Sequence, residues 1–212
     1  MTKLDQAGVR KFEQTIRGGG IAIFPTDTLY GIACDPDDQS AADRIYALKG
    51  RPSVKPSAVM FFSLDRLLRE IGDELDPAVR VLAEQLLPGP FTLVVANPHH
   101  RYAAACASTP EKLGLRVPKL EGYLEPLSAV DACVMQTSAN LSGGAHPTAL
   151  EDIDPSIVAG VDLALDGGPL LGYASTVADV SELSDGRWRL LRAEQPRISG
   201  RLTELIGFPP SD

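Results

Sequence analysis

The chain has 212 residues, a length that suits one medium-to-large domain or two small ones. Its residues are 44% hydrophobic, so it can bury a sizeable core and is not disordered by composition. The formal net charge of -8 argues against a dedicated nucleic-acid coat protein and against a protein of membrane surfaces.

The cysteines and the N-terminal residues bear on the cellular compartment. Cys34, Cys106 and Cys133 are odd in number and widely spaced, which predicts neither a disulfide framework nor a zinc ligand set. Free thiols fit a reducing cytoplasm. The first residues lack the apolar segment of a signal peptide, and no apolar run approaches the ~18 residues of a membrane span. We therefore predict a cytoplasmic protein with no membrane contact.

Helices and strands alternate in the first half of the chain. Val9, Phe12 and Ile16 share one helical face, and three glycines follow at 18–20, so residues 4–17 are predicted as a helix. The other predicted helices are 40–49, 64–71 and 77–87, and the predicted strands are 21–24, 58–62 and 91–96.

Strands crowd the second half of the chain. They are predicted at 113–117, 132–136, 161–165, 175–180 and 187–191. This order predicts an α/β or α+β fold with a mixed sheet. The chain has no internal repeat and no convincing linker, so we predict a single domain over residues 1–212, with its core at about 5–192 and a short tail at 193–212.

Four polar segments follow or interrupt the predicted strands. They are residues 25–31, the cations Lys49 and Arg51 with Lys55 beyond them, residues 137–144, and residues 175–179 with Arg192 after the next strand. Lysine and arginine so close together suit a polyphosphate, and small residues before a double glycine let backbone N–H groups approach an anion. Each segment alone also fits a simpler reading: a turn, a solvated cation at a helix C-terminus, or a loop.

Arg116 is different, because it lies within an apolar strand. An unpaired arginine is costly there, so its side chain is predicted to face an anion or a carboxylate. Other signatures of chemistry are missing from the sequence. It has no histidine pair with metal-ligand spacing, no Walker loop, no GxGxxG and no GxSxG, so we predict no metal bound by protein ligands alone and no hydrolase elbow.

Taken in order, the polar segments resemble the YrdC-type family, whose cytoplasmic members are threonylcarbamoyl-adenylate synthases. The matching stretches are PTDTLYG at 25–31, KGRP at 49–52, PGPFT at 88–92, LRVP at 115–118, SANLSG at 138–143, STVAD at 175–179 and LLR at 190–192. Each motif is weak alone, but the ordered set extends from about residue 18 to 192 and resembles the short, single-domain form of the family.

The resemblance implies an open, twisted α/β sheet with flanking helices and a large, concave, positively charged groove. It implies a nucleotidyltransferase that condenses L-threonine, bicarbonate (or CO2) and ATP, with Mg2+, into threonylcarbamoyl-AMP and pyrophosphate. The product feeds the t6A modification of tRNA, so the downstream t6A transferase machinery and weak tRNA binding are the implied partners.

The matched motifs imply roles for individual residues. Lys49 and Arg51 are implied as the catalytic cations on the ATP phosphates. The implied ATP-binding set is Lys49, Arg51, Lys55, Ser138, Asn140 and Arg192, and the implied threonine-binding set is Thr28, Tyr30, Arg116 and Ser175.

The sequence departs from the family pattern at several positions, which bear mainly on amino-acid recognition. They are Ser57, Met60, Lys112 and Gln136. The sequence leaves two alternatives to the synthase. One is an enzyme that handles a carbamoyl-adenylate, although such proteins are usually much longer. The other is a non-catalytic module that binds RNA, which the net charge disfavours.

Overall fold

The structure is a computed structural model that describes residues 2–50, 55–170, 172–194 and 196–211. Its α-helices are α1 (Gln6–Arg17), α2 (Gln39–Leu48), α3 (Leu64–Ile71), α4 (Pro77–Leu86), α5 (Ala103–Cys106), α6 (Pro155–Gly160) and α7 (Pro196–Ile206). Its strands are β1 (Thr2–Lys3), β2 (Ala22–Pro25), β3 (Tyr30–Cys34), β4 (Ala58–Met60), β5 (Phe91–Ala96), β6 (Lys112–Arg116), β7 (Val134–Ser138), β8 (Leu163–Asp166), β9 (Thr176–Asp179) and β10 (Arg189–Arg192).

The ten strands of the described residues form one sheet in the order β1-β8-β2-β3-β7-β4-β6-β5-β9-β10. Parallel pairs, such as β4 with β6, occur beside antiparallel pairs, such as β4 with β7. This arrangement confirms the predicted α/β fold with a mixed sheet. Among the described residues, no helix is both long and apolar enough to cross a membrane.

Short polar side chains set where several helices begin. Asp5, Asp38, Ser63 and Asp76 each accept a hydrogen bond from a backbone N–H in the first turn of the following helix. Such caps satisfy N–H groups that have no partner within the helix. Helix α1 therefore begins at Gln6, two residues after the predicted start.

The sheet separates two hydrophobic cores, because successive side chains of a strand point to opposite faces. On one face, Ile32, Leu115 and Met135 belong to a core completed by helices α2 to α7. On the other face, Ala33, Met60 and Val134 pack with α1 and with the 3-10 helix Gly122–Ala129. We call the second side the α1 face.

Beyond α1, the α1 face carries small and polar residues instead of large apolar ones. One row crosses five neighbouring strands: Gln136 pairs with Ala58, Ala58 with Gly114, Gly114 with Val94, and Val94 with Asp179. Small side chains leave space above the sheet, and this row becomes the floor of a cavity.

The sequence-based elements differ from the structure by at most two residues at their ends, but strand β3 was missed. Residues 25–31 were interpreted as one polar segment after a strand. In the structure the turn covers only residues 26–29, and Tyr30 and Gly31 already pair with β2. The fully buried residues of β3 show no polar alternation, so the pattern of a half-buried strand is absent.

The C-terminal residues were also predicted without structure, but they contain α7. Leu202 is fully buried in the core opposite the α1 face. The indole of Trp188 donates a hydrogen bond to the carbonyl oxygen of Phe208 at 3.1 Å. These contacts place Leu202 of α7 and Phe208 on the far side of the sheet from the cavity. The short elements β1, α5 and α6 were missed as well.

Candidate active site

A cavity of about 370 Å³ opens on the α1 face, over strands β4, β5, β6, β7 and β9. Its lining includes six of the residues predicted from the sequence as a site. These are Thr28, Tyr30, Arg116, Ser138, Ser175 and Arg192. Residues from nearly the whole length of the chain thus line one cavity, whose size suits a small ligand.

Arg116 is the most enclosed cation of this cavity, with 4% of its surface exposed. Its Nη2 donates to Asp27 Oδ1 at 2.6 Å and to Thr28 Oγ1 at 2.5 Å. The prediction that Arg116 faces a carboxylate is therefore confirmed. Within the described residues, its Nε is buried without a hydrogen-bond partner. The guanidinium thus keeps unused donor capacity in a water-poor site, where binding an anion is favourable.

Arg192 is a second cation of the cavity lining, and its guanidinium bonds to Ser175. Arg192 donates from Nε to the carbonyl oxygen of Ser175 and from Nη2 to its hydroxyl, both at 2.9 Å. The Ser175 hydroxyl also lies 3.0 Å from the hydroxyl of Thr92. These contacts hold a positive charge and two hydroxyl groups along one wall. The sequence pointed to Ser175 and Arg192, and Thr92 lies in the matching PGPFT stretch, although no role was assigned to it.

Lys49 lies under the loop that follows β7. Only 3% of its surface is exposed, and its ammonium contacts the carbonyl oxygens of Ser138 and Asn140, the second at 2.6 Å. Ser138 in turn donates to Asn140 Oδ1 at 2.6 Å. The alternative of a solvated cation at a helix C-terminus is therefore wrong for Lys49. In this structure the ammonium joins the end of β7, where Ser138 lines the cavity, to the loop that carries Asn140.

The predicted residues Lys55, Arg51 and Tyr30 differ in what the structure says of them. Lys55 is exposed and precedes Pro56, which lines the cavity, while Arg51 lies outside the described residues. The Tyr30 hydroxyl donates to the carbonyl oxygen of Gly168 at 2.9 Å. Burial raises the pKa of Tyr30 to about 12, so its phenol stays neutral. Tyr30 therefore forms a wall, with its hydroxyl engaged elsewhere.

Lys112 and Asp179 form an ion pair in the cavity lining, with Lys112 Nζ 2.6 Å from Asp179 Oδ2. Asp179 Oδ1 also accepts hydrogen bonds from the backbone N–H and the hydroxyl of Ser181. Burial alone would raise the pKa of Asp179, but the hydrogen bonds from Lys112 and Ser181 outweigh it and lower that pKa. The sequence marked Lys112 as unusual without showing its partner.

This lowered pKa predicts how stability depends on pH. Ionised Asp179 favours the folded state fully above the pKa of an aspartate in the unfolded chain, and that contribution is lost as the pH falls through the lower pKa of the folded state. We expect Asp179→Asn to be less stable than the wild type at pH 7, with a difference that shrinks below about pH 4. Urea unfolding between about pH 7 and about pH 2.5 measures it.

Lys112→Met is the matched control, because it removes the cation and leaves the carboxylate. Without the cation the pKa of Asp179 in the folded state is lowered less, so we expect a smaller acid-induced loss of stability than in the wild type, with its onset still at the pKa of an aspartate in the unfolded chain. A difference between wild type and Asp179→Asn that stays constant over the whole pH range would contradict the assignment.

The chain is similar to proteins of a known family. The model of the Sua5/YciO/YrdC family, described as telomere recombination, matches residues 14–193. A threonylcarbamoyl-AMP synthase of Pyrococcus abyssi is 28% identical over 85% of this chain, and the human one is 33% identical over 78%. The chain spans 53% and 60%, respectively, of the length of these two relatives.

Solved structures show the same fold. The crystal structure of P. abyssi Sua5 complexed with L-threonine superposes with a TM-score of 0.81 and 26% identity, covering 97% of this chain and 59% of that one. Escherichia coli YciO gives a TM-score of 0.73 at 23% identity, with 89% of each chain covered. At that identity the YciO match supports the fold alone.

Proposed function

Because the chain belongs to the Sua5/YciO/YrdC family, we propose that it is a threonylcarbamoyl-AMP synthase. The reaction joins L-threonine, bicarbonate and MgATP into threonylcarbamoyl-AMP and pyrophosphate. One observation supports the proposal most: Arg116, Thr28, Ser138, Ser175 and Arg192 all line the same cavity. Such a site offers separate positions for a carboxylate and for phosphate oxygens.

In this proposal Arg116 binds the carboxylate of threonine, since its guanidinium is buried beside the Thr28 hydroxyl and retains unused donors. Tyr30 and Ser175 form the walls around the amino acid. The cations and polar side chains on the nucleotide side are Lys49, Arg51, Lys55, Ser138, Asn140 and Arg192. Lys49 acts there partly by holding the loop of Ser138 and Asn140 in place.

The proposed chemistry needs no acid–base dyad. The threonine amine combines with bicarbonate to give an N-carboxylate and water, and this carboxylate attacks the α-phosphorus of MgATP. Pyrophosphate then leaves with Mg2+. The protein holds two anions together against their repulsion and stabilises the charge that develops on phosphorus. Lysine and arginine side chains suit both tasks.

The decisive experiment measures pyrophosphate release by the full chain with MgATP. We expect release only when L-threonine and bicarbonate are both present, and little with serine or with threonine alone. Pyrophosphate release that ignores threonine would contradict the proposal. Salt-sensitive tRNA binding without any pyrophosphate release would favour the RNA-binding alternative. The proposed cellular role is t6A formation in tRNA in the cytoplasm, together with a downstream transferase.

A further inference from the structure

Gln136 is a buried polar residue of the cavity without a partner among the described residues. It is 7% exposed and lines the cavity. Within that part of the chain its side-chain amide makes no hydrogen bond, whereas its cavity neighbours Ser138, Ser175 and Arg116 all make such bonds. Its amide atoms are not among the fully buried unpartnered atoms of the described residues, so they are accessible from the cavity, where a ligand can use both the acceptor and the donor.

The position of this amide is set by its neighbours on the sheet. A Cβ atom at Gly31 would lie 3.2 Å from Gln136 Oε1, so the glycine gives the amide the space in which it lies. On β7 the next residue on the same face is Ser138. Across β4, the row from Gln136 reaches Gly114, and the next residue of β6 on this face is Arg116. Gln136 thus lies between the proposed phosphate and carboxylate positions.

We propose that the amide of Gln136 binds the carbamate group that links threonine to the nucleotide; this inference rests on the proposed function. As the N-carboxylate forms, its N–H donor lies on the same side as one of its two acceptor oxygens. A glutamine amide presents an acceptor, Oε1, and a donor, Nε2, so the two groups are complementary in a pair of hydrogen bonds. Gln136 is then a specificity-determining residue of the bicarbonate step.

Two bonds form at this position, and each releases a leaving group. The threonine amine and bicarbonate form the N–C bond and release water, which leaves a carbamate with one N–H. A carbamate oxygen then forms the bond to the α-phosphorus as the bond to pyrophosphate breaks. Gln136 exchanges no proton in either step. Its amide favours the N-carboxylated amino acid over the free amine, because only the former offers the carbonyl group.

The test is Gln136→Met, which keeps the length of the side chain and removes both hydrogen-bonding groups, with Gln136→Leu as a second apolar variant. We expect the apparent KM for bicarbonate to rise about 10- to 100-fold, which corresponds to two lost hydrogen bonds. Calorimetric titration should give Kd values for threonine alone and for ATP alone within about twofold of wild type. The thermal midpoint should not fall, because the amide loses no bond to the described residues.

Gln85→Met is the matched control, an exposed glutamine on α4 against the opposite face of the sheet. An unchanged KM for bicarbonate in both apolar variants would overturn the inference, as would equal weakening of threonine and ATP binding. A wild-type protein that releases no pyrophosphate would instead remove the proposed function, and this inference with it. The wild-type assay therefore distinguishes the two failures.

Discussion

Replacing Arg116 with alanine is expected to abolish threonine binding and to lower the free energy of unfolding by about 3–5 kcal/mol. The side chains of Arg116 and Asp27 are 5% and 8% exposed, so the alanine variant leaves a buried carboxylate without its counter-ion. The same change removes the donors proposed for the threonine carboxylate. Urea unfolding measures the first effect, and calorimetric titration with L-threonine measures the second.

The double variant Arg116→Met with Asp27→Asn separates stability from binding. It removes both charges, and replacing a buried ion pair by neutral groups of similar volume is often close to neutral for stability. We expect its free energy of unfolding to lie well above that of Arg116→Ala, with threonine binding still lost. Threonine binding at the wild-type Kd in this variant would remove Arg116 from the site.

Lys49→Met is expected to lower kcat/KM for pyrophosphate release about 10²- to 10³-fold, the usual effect of removing one donor from a charge-stabilising site. The ammonium contacts the carbonyl oxygens of Ser138 and Asn140 and lies 3.3 Å from Asn140 Oδ1. Its loss frees the loop on the nucleotide side. Steady-state pyrophosphate assays measure the effect, together with the Kd of ATP.

Lys11→Met is the control for Lys49→Met, because Lys11 is an exposed lysine on α1. The Kd of threonine alone should stay within about twofold of wild type in both variants, since the ion pair of Arg116 and Asp27 is untouched. Wild-type turnover by Lys49→Met would show that neither the ammonium nor the loop it holds contributes to the reaction.

Local patterns were sufficient for most of the secondary structure. Apolar residues at helical spacing in α1 and α4, together with breaks at glycine and proline, predicted both helices to within two residues. The local patterns did not predict strand β3, because Tyr30–Cys34 is buried on both faces and follows a polar turn. Helix α7 was missed because no local pattern was assigned to the residues after 192, although Leu202 packs into the core.

The candidate site was predictable only in part. Short motifs singled out Ser138, Ser175 and Arg192, because small polar residues and a cation at strand ends differ from their apolar surroundings. The cost of an unpaired charge in an apolar strand predicted that Arg116 has an acidic partner. The partner itself, Asp27, lies 89 positions earlier in the chain, and no local pattern connects the two residues.

By itself, the sequence determined the alternation of elements, the family resemblance and the residues able to meet anions, since these depend on side-chain type and on neighbours along the chain. The tertiary structure alone decided how those residues are used. In the fold, the Lys49 ammonium contacts backbone carbonyl oxygens and Lys112 forms an ion pair with Asp179. The Gln136 amide lies over Gly31 without a partner among the described residues. These outcomes depend on strand order and register, which bring distant segments together through hydrogen bonds and burial across the whole sheet.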